Sequence, residues 1–192
     1  MKKFELTTES ITNEAGKKLF RIKALIDFGD VKAGELGGYV EKEGNVSQDD
    51  NAWVSGDAEV FGNAKVYGDA RVYDNAKVYG DARVFGNVWV ADNAWVFGDA
   101  KVSGRAWVSG NACVFGDADY ALVQGFGIKF RCTTFYMGKN EKIMVNCGCF
   151  HGDLEEFRKQ VKETRSGKIA KEYLMIADLM EYHFVSEDSG DE

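Results

Sequence analysis

From Ala52 to Asp117 the chain alternates apolar and polar residues in a six-residue register that runs without insertion. The eleven units are AWVSGD, AEVFGN, AKVYGD, ARVYDN, AKVYGD, ARVFGN, VWVADN, AWVFGD, AKVSGR, AWVSGN and ACVFGD. Their third position is always valine, from Val54 to Val114, and their first is alanine except at Val88. The fifth is Gly in nine units and Asp in two, and the sixth is Asp or Asn except at Arg105. Two looser units, VEKEGN from Val40 and VSQDDN from Val46, extend the register backwards. Self-similarity at so short and fixed a period predicts a solenoid.

Each unit reads as a short strand and a corner. In A-x-V-y the Ala and Val lie two apart and share the inner face, while x and y share the outer one. The outer positions hold Trp, Tyr, Phe, Lys and Arg, and the inner valine favours extended backbone. Gly-Asp or Gly-Asn then supplies residues tolerant of positive φ where the chain must bend. Burial of each valine contributes roughly 1.5–3 kcal/mol, which offsets the entropy of ordering a stacked rod.

The tandem V-x-G-[DN]-A-x pattern resembles the hexapeptide repeat of left-handed parallel β-helices. That resemblance implies a mainly β protein with three hexads per triangular coil, about four coils, and residues 18 apart in one column. It also implies a left-handed crossover, opposite to the usual hand. The flanks DFGDVKAGELGGYVEKEGNVSQ, ADYALVQGFG, TTFYMGKNEKIMVNCGCFHGDLEEF and AKEYLMIADLMEYH are similar to segments of hexapeptide-repeat proteins from bacteria and their phages. A prophage-encoded protein working in the host cytoplasm is what that likeness implies. Pentapeptide-repeat helices, some of them DNA mimics, need a period of five and do not fit.

The chain is expected to divide into four segments, three of them outside the repeat. Residues 1–39 read as an N-terminal β cap, with strand-like runs at Lys3–Leu6 and Lys18–Phe28 across the turn Asn13-Glu14-Ala15-Gly16. Residues 40–117 are the β-helix. Residues 118–185 form a small α+β element, with strands at Lys129–Met137 and Glu141–Cys149 joined across Gly138-Lys139-Asn140. Its first helix starts at Asp153, capped with Glu156, and buries Leu154, Phe157 and Val161. Its second, roughly Ile169–Val185, puts Ala170, Leu174, Ala177, Met180 and Phe184 on one side, to lie against the rod or a second subunit. Residues 186–192, SEDSGDE, are an acidic flexible tail.

Composition narrows the function classes. The formal charge is −7, and four of those units lie in the final six residues, so the body carries about −3 and does not attract DNA or an anionic membrane. No apolar run reaches the ~18 residues of a membrane span, and the opening MKKFELTTES does not read as a signal peptide. The four cysteines read as reduced cytosolic thiols. Cys132, Cys147, Cys149 and His151 are the one metal-like cluster: strand alternation would put Cys147, Cys149 and His151 on one face. One strand plus a lone Cys departs from the paired knuckles of structural zinc, so no cofactor is expected. Acyltransferases of this fold commonly use a histidine base in a groove between subunits, but both histidines, His151 and His183, lie outside the repeats. No catalytic residue is assigned.

Stacking by eighteen creates three outward faces. The first carries Phe61, Tyr79, Phe97 and Phe115 beside Glu59, Lys77, Trp95 and Cys113. Its aromatic area is too large to leave in water, so Phe61, Tyr79, Trp95, Phe97 and Phe115 are expected to be covered by the C-terminal helices or another subunit. The second carries Lys65, Arg83 and Lys101 beside Tyr67, Phe85 and Ser103; three cations about 4.8 Å apart repel unless solvent or an anion intervenes. The third carries Trp53, Arg71, Trp89 and Trp107, with Arg71 expected between two indoles in cation–π contact. A fourth column, Asn63, Asp81, Asp99 and Asp117, marks a corner. The second and third columns are the candidate surfaces for a protein or ribonucleoprotein partner, since aromatic and Arg side chains dominate interface energies. The expected function is a non-enzymatic solenoid that binds a macromolecule, including copies of itself; with the phage likeness, that becomes inhibition of a host defence factor in the manner of an anti-CRISPR protein. An acyltransferase and a structural virion component are the alternatives.

Overall fold

The computed structural model describes residues 2–127, 131–139 and 141–185, and the chain divides into two units, Met1–Asp117 and Ala118–Glu192. In the first unit, β1 (Phe4–Thr12) and β2 (Lys18–Ala24) form an antiparallel hairpin. Its turn is held by Asn13 Oδ1, which accepts the Lys17 N–H at 2.9 Å, while Gly16 takes a φ of 71°. The first strand is longer than Lys3–Leu6. The second stops short of Phe28, which turns back to bridge Val31. β3 (Leu36–Val40) lies antiparallel to β2.

Within the described residues eleven short strands follow: β4 (Trp53–Val54), β5 (Glu59–Val60), β6 (Lys65–Gly68), β7 (Arg71–Val72), β8 (Lys77–Val78), β9 (Arg83–Gly86), β10 (Trp89–Val90), β11 (Trp95–Val96), β12 (Lys101–Val102), β13 (Trp107–Val108) and β14 (Cys113–Val114). Each hexad yields one strand, and every third strand pairs in parallel. The three sheets are β3-β5-β8-β11-β14 prolonged by β2 and β1, β4-β7-β10-β13, and β6-β9-β12. Val60 pairs with Val78, Val66 with Val84 and Val72 with Val90, so residues eighteen apart are neighbours. This is a parallel β-solenoid of about four turns. The repeat valines are fully buried, and the alanines and Val88 are buried beside them.

The main-chain ladder runs through the corners as well as the strands. Asp57 N–H donates to the Asp74 carbonyl at 2.8 Å, Asn63 to Gly80 at 2.8 Å and Asn75 to Asp92 at 2.9 Å. Eight of the nine corner glycines, all but Gly116, take left-handed φ, and the two hexads with Asp in that place keep the same conformation, at 59° for Asp74 and 57° for Asp92. Aspartate visits this region more readily than most residues.

The first coil departs from the repeat. Val40 pairs with Val60 and Val46 bridges Val66, each twenty residues on rather than eighteen. These valines therefore occupy the inner third position, not the first as the backward extension of the register had them. Alanine holds the first position in ten of the eleven regular hexads. Two extra residues are absorbed between Val46 and Val54. Asn45, fully buried, closes this end by donating to the Gly62 and Ala64 carbonyls at 3.3 and 2.9 Å.

The second unit is an antiparallel sheet of β15 (Tyr120–Phe126), β16 (Arg131–Met137), β17 (Ile143–Cys147) and β18 (Phe150–Asp153), in that order, with α1 (Leu154–Thr164) and α2 (Gly167–Val185) packed on it. Lys129, Asn140 and the tail 186–192 lie outside the described residues. Asp153 and Glu156 close a reciprocal cap: the Asp153 carboxylate accepts the Glu156 N–H, and Glu156 accepts the Asp153 N–H, both at 2.9 Å. Leu154, Phe157 and Val161 are buried as the spacing predicts. The buried side of α2 centres on Tyr173, Ile176, Ala177 and Met180, with Ala170, Leu174 and Phe184 at its margin. That side packs on the sheet of its own unit. Among the described residues no helix is long and apolar enough to cross a membrane.

Candidate binding faces

The aromatic column of the first face stacks. Phe61 and Tyr79 rings lie 4.9 Å apart at 2°, Tyr79 and Phe97 5.0 Å apart at 13°, and Phe97 meets Phe115 edge-on at 5.2 Å. Its first rungs are covered by the N-terminal hairpin: Phe61 is buried with Leu19 and Tyr39, and Ile11 and Tyr79 pack against them. For these first rungs the cover comes from within the same unit. The hairpin reaches the face because β1 and β2 simply continue its sheet. Phe115, at the other end, is 59% exposed.

Beside that column Glu59 is buried, and its carboxylate accepts Asn13 Nδ2 at 3.1 Å. Lys77 Nζ stands 3.7 Å from Glu59 and 3.3 Å from Glu14 Oε2 of the hairpin turn. A cavity of about 190 Å³ opens between these groups and Phe61, Tyr79 and Trp95. Asn13 and Glu14 were read only as turn residues. No local signal in the sequence points them at a strand some 46 residues away, because the contact depends on how far the hairpin reaches.

On the second face Lys65, Arg83 and Lys101 are in register and exposed. Tyr67 and Phe85 stack beside the first two, 5.0 Å apart at 2°. Lys101 is paired with Asp117 at 3.3 Å, and its N–H donates to the same carboxylate at 2.7 Å. Among the described residues Lys65 and Arg83 have no carboxylate partner. The corner column is tied along the rod by Asn63 Nδ2 donating to Asp81 at 3.0 Å.

The third face divides. Trp53 is 2% exposed, with Phe28 at 5.4 Å and Phe4 at 6.2 Å packed edge-on against it, and its Nε1 has no hydrogen-bond partner. Trp53 therefore does not face solvent. Arg71 lies in register between Trp53 and Trp89, yet its guanidinium is ion-paired with Asp30 from the loop after β2. Among the described residues no cation lies over either indole, so the expected cation–π sandwich is replaced by a salt bridge. Trp89 and Trp107 are 49% and 40% exposed and meet edge-on at 6.1 Å. Tyr73 packs edge-on to Trp89, and burial, aided by the Asp74 and Asp92 charges, holds its hydroxyl protonated to higher pH than usual.

The cysteine cluster is not brought together. The chain reverses at Gly148-Cys149, pairing Cys147 with Phe150 and Asn146 with His151. Cys147 and His151 thus point to opposite sides of the sheet, and the shared face expected from alternation is lost. Cys147 is buried and accepts the Thr133 hydroxyl at 3.1 Å, Cys149 is exposed at the turn, and His151 Nε2 lies 3.4 Å from the Tyr136 hydroxyl. Cys132, next to Thr133 on β16, falls on the side opposite Cys147. Among the described residues no group of three His, Cys, Asp or Glu side chains is placed to hold a metal.

Residues 76–92 match a family model described as a YdcK beta solenoid repeat. The span takes in β8, β9 and β10, one strand from each face, and is similar to that repeat. A search of curated proteins finds no match.

Proposed function

We propose that the chain acts by binding, presenting the β6-β9-β12 face to an acidic protein partner. The observation that carries this reading is the pair Lys65 and Arg83. They stand one above the other, exposed and, among the described residues, without carboxylate partners, beside the stacked rings of Tyr67 and Phe85. Unit charges at such spacing repel by about 1 kcal/mol even in water, a cost that a partner's carboxylates would turn into attraction. The paired rings supply apolar area at the same place, as interface hot spots do. A β-solenoid holds these groups on main-chain hydrogen bonds, so little order remains to be gained on binding. Exposed Trp89 and Trp107 on the neighbouring face extend the candidate contact. In its narrower form, which rests on the likeness to prophage solenoids, the partner is a host defence factor that is occluded when bound.

Affinity purification from a host lysate, with mass spectrometry, tests the reading. The expected result is a discrete partner that is lost when Lys65→Glu, Arg83→Glu and Lys101→Glu are combined, with the melting temperature unchanged. A partner retained by that triple variant would overturn the assignment of this face.

A further inference from the structure

The cavity between the hairpin turn and the first face has a composition that the partner-binding reading leaves unused. Its volume is about 190 Å³, the space of about six water molecules. Phe61, Tyr79 and Trp95 give it apolar walls, and Glu14, Glu59 and Lys77 give it charge. Glu59 is only 9% exposed, yet among the described residues its carboxylate takes a single hydrogen bond, from Asn13 at 3.1 Å. Lys77 does not complete it: its ammonium is 3.7 Å from Glu59 and gives its hydrogen bond to Glu14. A carboxylate has about four acceptor positions, and since Asn13 fills one of them, the rest are open to a donor seated in the cavity. Two carboxylates and one ammonium also leave the site with one negative charge.

We infer that this cavity binds a monovalent aliphatic ammonium, its nitrogen on Glu59 and its carbon chain along Phe61, Tyr79 and Trp95. The charge fits a single cation, and the volume fits a chain of about five carbons with its nitrogen. Anions are repelled by Glu59 and Glu14, and a neutral alcohol leaves the net negative charge of the site uncompensated. The ammonium could belong to a small free amine or to a lysine side chain of another protein.

Calorimetric titration of the full chain with n-pentylammonium tests this. Saturable binding at about millimolar strength is expected, with n-pentanol at least about tenfold weaker and pentanoate not bound. Glu59→Gln should weaken the amine about tenfold and leave the alcohol unchanged, and Trp95→Ala should weaken both. If Glu59→Gln does not fold, the preference of the native chain for amine over alcohol decides alone. Equal affinity for the two, or no binding of the amine, overturns the inference. Nα-acetyl-lysine methylamide separates the sources: its binding beside that of pentylammonium assigns a lysine side chain, and binding of pentylammonium alone assigns a free amine. The Lys65, Arg83 and Lys101 triple variant should bind the amine as the native chain does, so this site and the basic strip fail or succeed separately.

Discussion

Lys3 donates its ammonium to the Ala52 carbonyl at 2.8 Å, a buried contact that fastens the chain before β1 to the first regular hexad. A second bond of 2.8 Å goes to the Asp50 carbonyl, and the Phe28 ring lies 4.9 Å away. Burial pushes this ammonium down to about 8 from 10.5, against the upward pull of the Asp50 charge. Between those two values the unfolded chain holds a proton that the folded chain has released, so this group makes stability rise with pH through that window. All four tryptophans lie in the first unit, so their fluorescence reports its unfolding alone. The stability difference between the native chain and Lys3→Met should widen as pH is raised from about 8 to about 10. A constant difference would show that the ammonium does not titrate there.

The aromatic column should be energetically graded along the rod. Phe61 is buried under Leu19 and Tyr39, and its truncation to Ala is expected to cost about 3–5 kcal/mol in denaturant unfolding. Phe115, 59% exposed, should cost under about 1 kcal/mol on the same change. Equal costs would mean that stacking between rungs, rather than cover by the hairpin, sets the energy.

Two glycines with nearly equal φ separate conformation from crowding. Gly16 has φ 71° and open space where a Cβ would stand, so Gly16→Ala should cost about 1–2 kcal/mol. Gly68 has φ 74°, but a Cβ there would lie 2.9 Å from the backbone nitrogen of Gly86 in the next coil. Gly68→Ala should therefore exceed the Gly16 cost, as read by tryptophan fluorescence against denaturant, and shift the Gly86 amide resonance. A cost no greater than at Gly16 would show that the coils separate easily.

In the second unit the Asp153 carboxylate caps α1 and accepts Lys142 Nζ at 2.8 Å. The Lys142 bond, then the Glu156 N–H, holds its pKa below the usual 3.8. Its stabilising effect is thus complete above that value and fades as pH falls through the lowered one. Asp153→Ala should cost about 1–2 kcal/mol in the helical circular-dichroism transition, and Asp153→Asn only a few tenths, since an amide oxygen still accepts the Glu156 N–H. The Asn variant should also lose the acid-pH dependence that this carboxylate contributes.

The columns of the rod could be read from the chain because one rule, Val at every sixth place, marks each strand, while the three-hexad coil implied by the likeness to hexapeptide-repeat β-helices supplies its partner. Where the rule lapses, the reading slips. Val40 and Val46 keep the spacing of six, but nothing in VSQDDN marks the two residues by which the first coil is longer. The roles of Trp53 and Arg71 were misread because each is settled by a distant segment, Phe4 and Phe28 for the indole and Asp30 for the guanidinium. At Cys147-Gly148-Cys149 alternation suggested a continuing strand, whereas Gly148 at φ 64° begins a reversal. That glycine was the available signal. Lys65 and Arg83 fall in one column as the three-hexad coil of the resembled family implies, but the pairing of Lys101 with Asp117 depends on where the rod ends.

The unbroken ladder through strands and corners also constrains how such a gene can change length. Duplicating eighteen codons would add one full turn and repeat every surface motif in place, whereas gaining or losing six would carry each later side chain to the neighbouring side of the prism. Growth by whole turns is therefore the silent route, and a single misplaced hexad would redraw the entire exterior beyond it while the valine interior went on undisturbed.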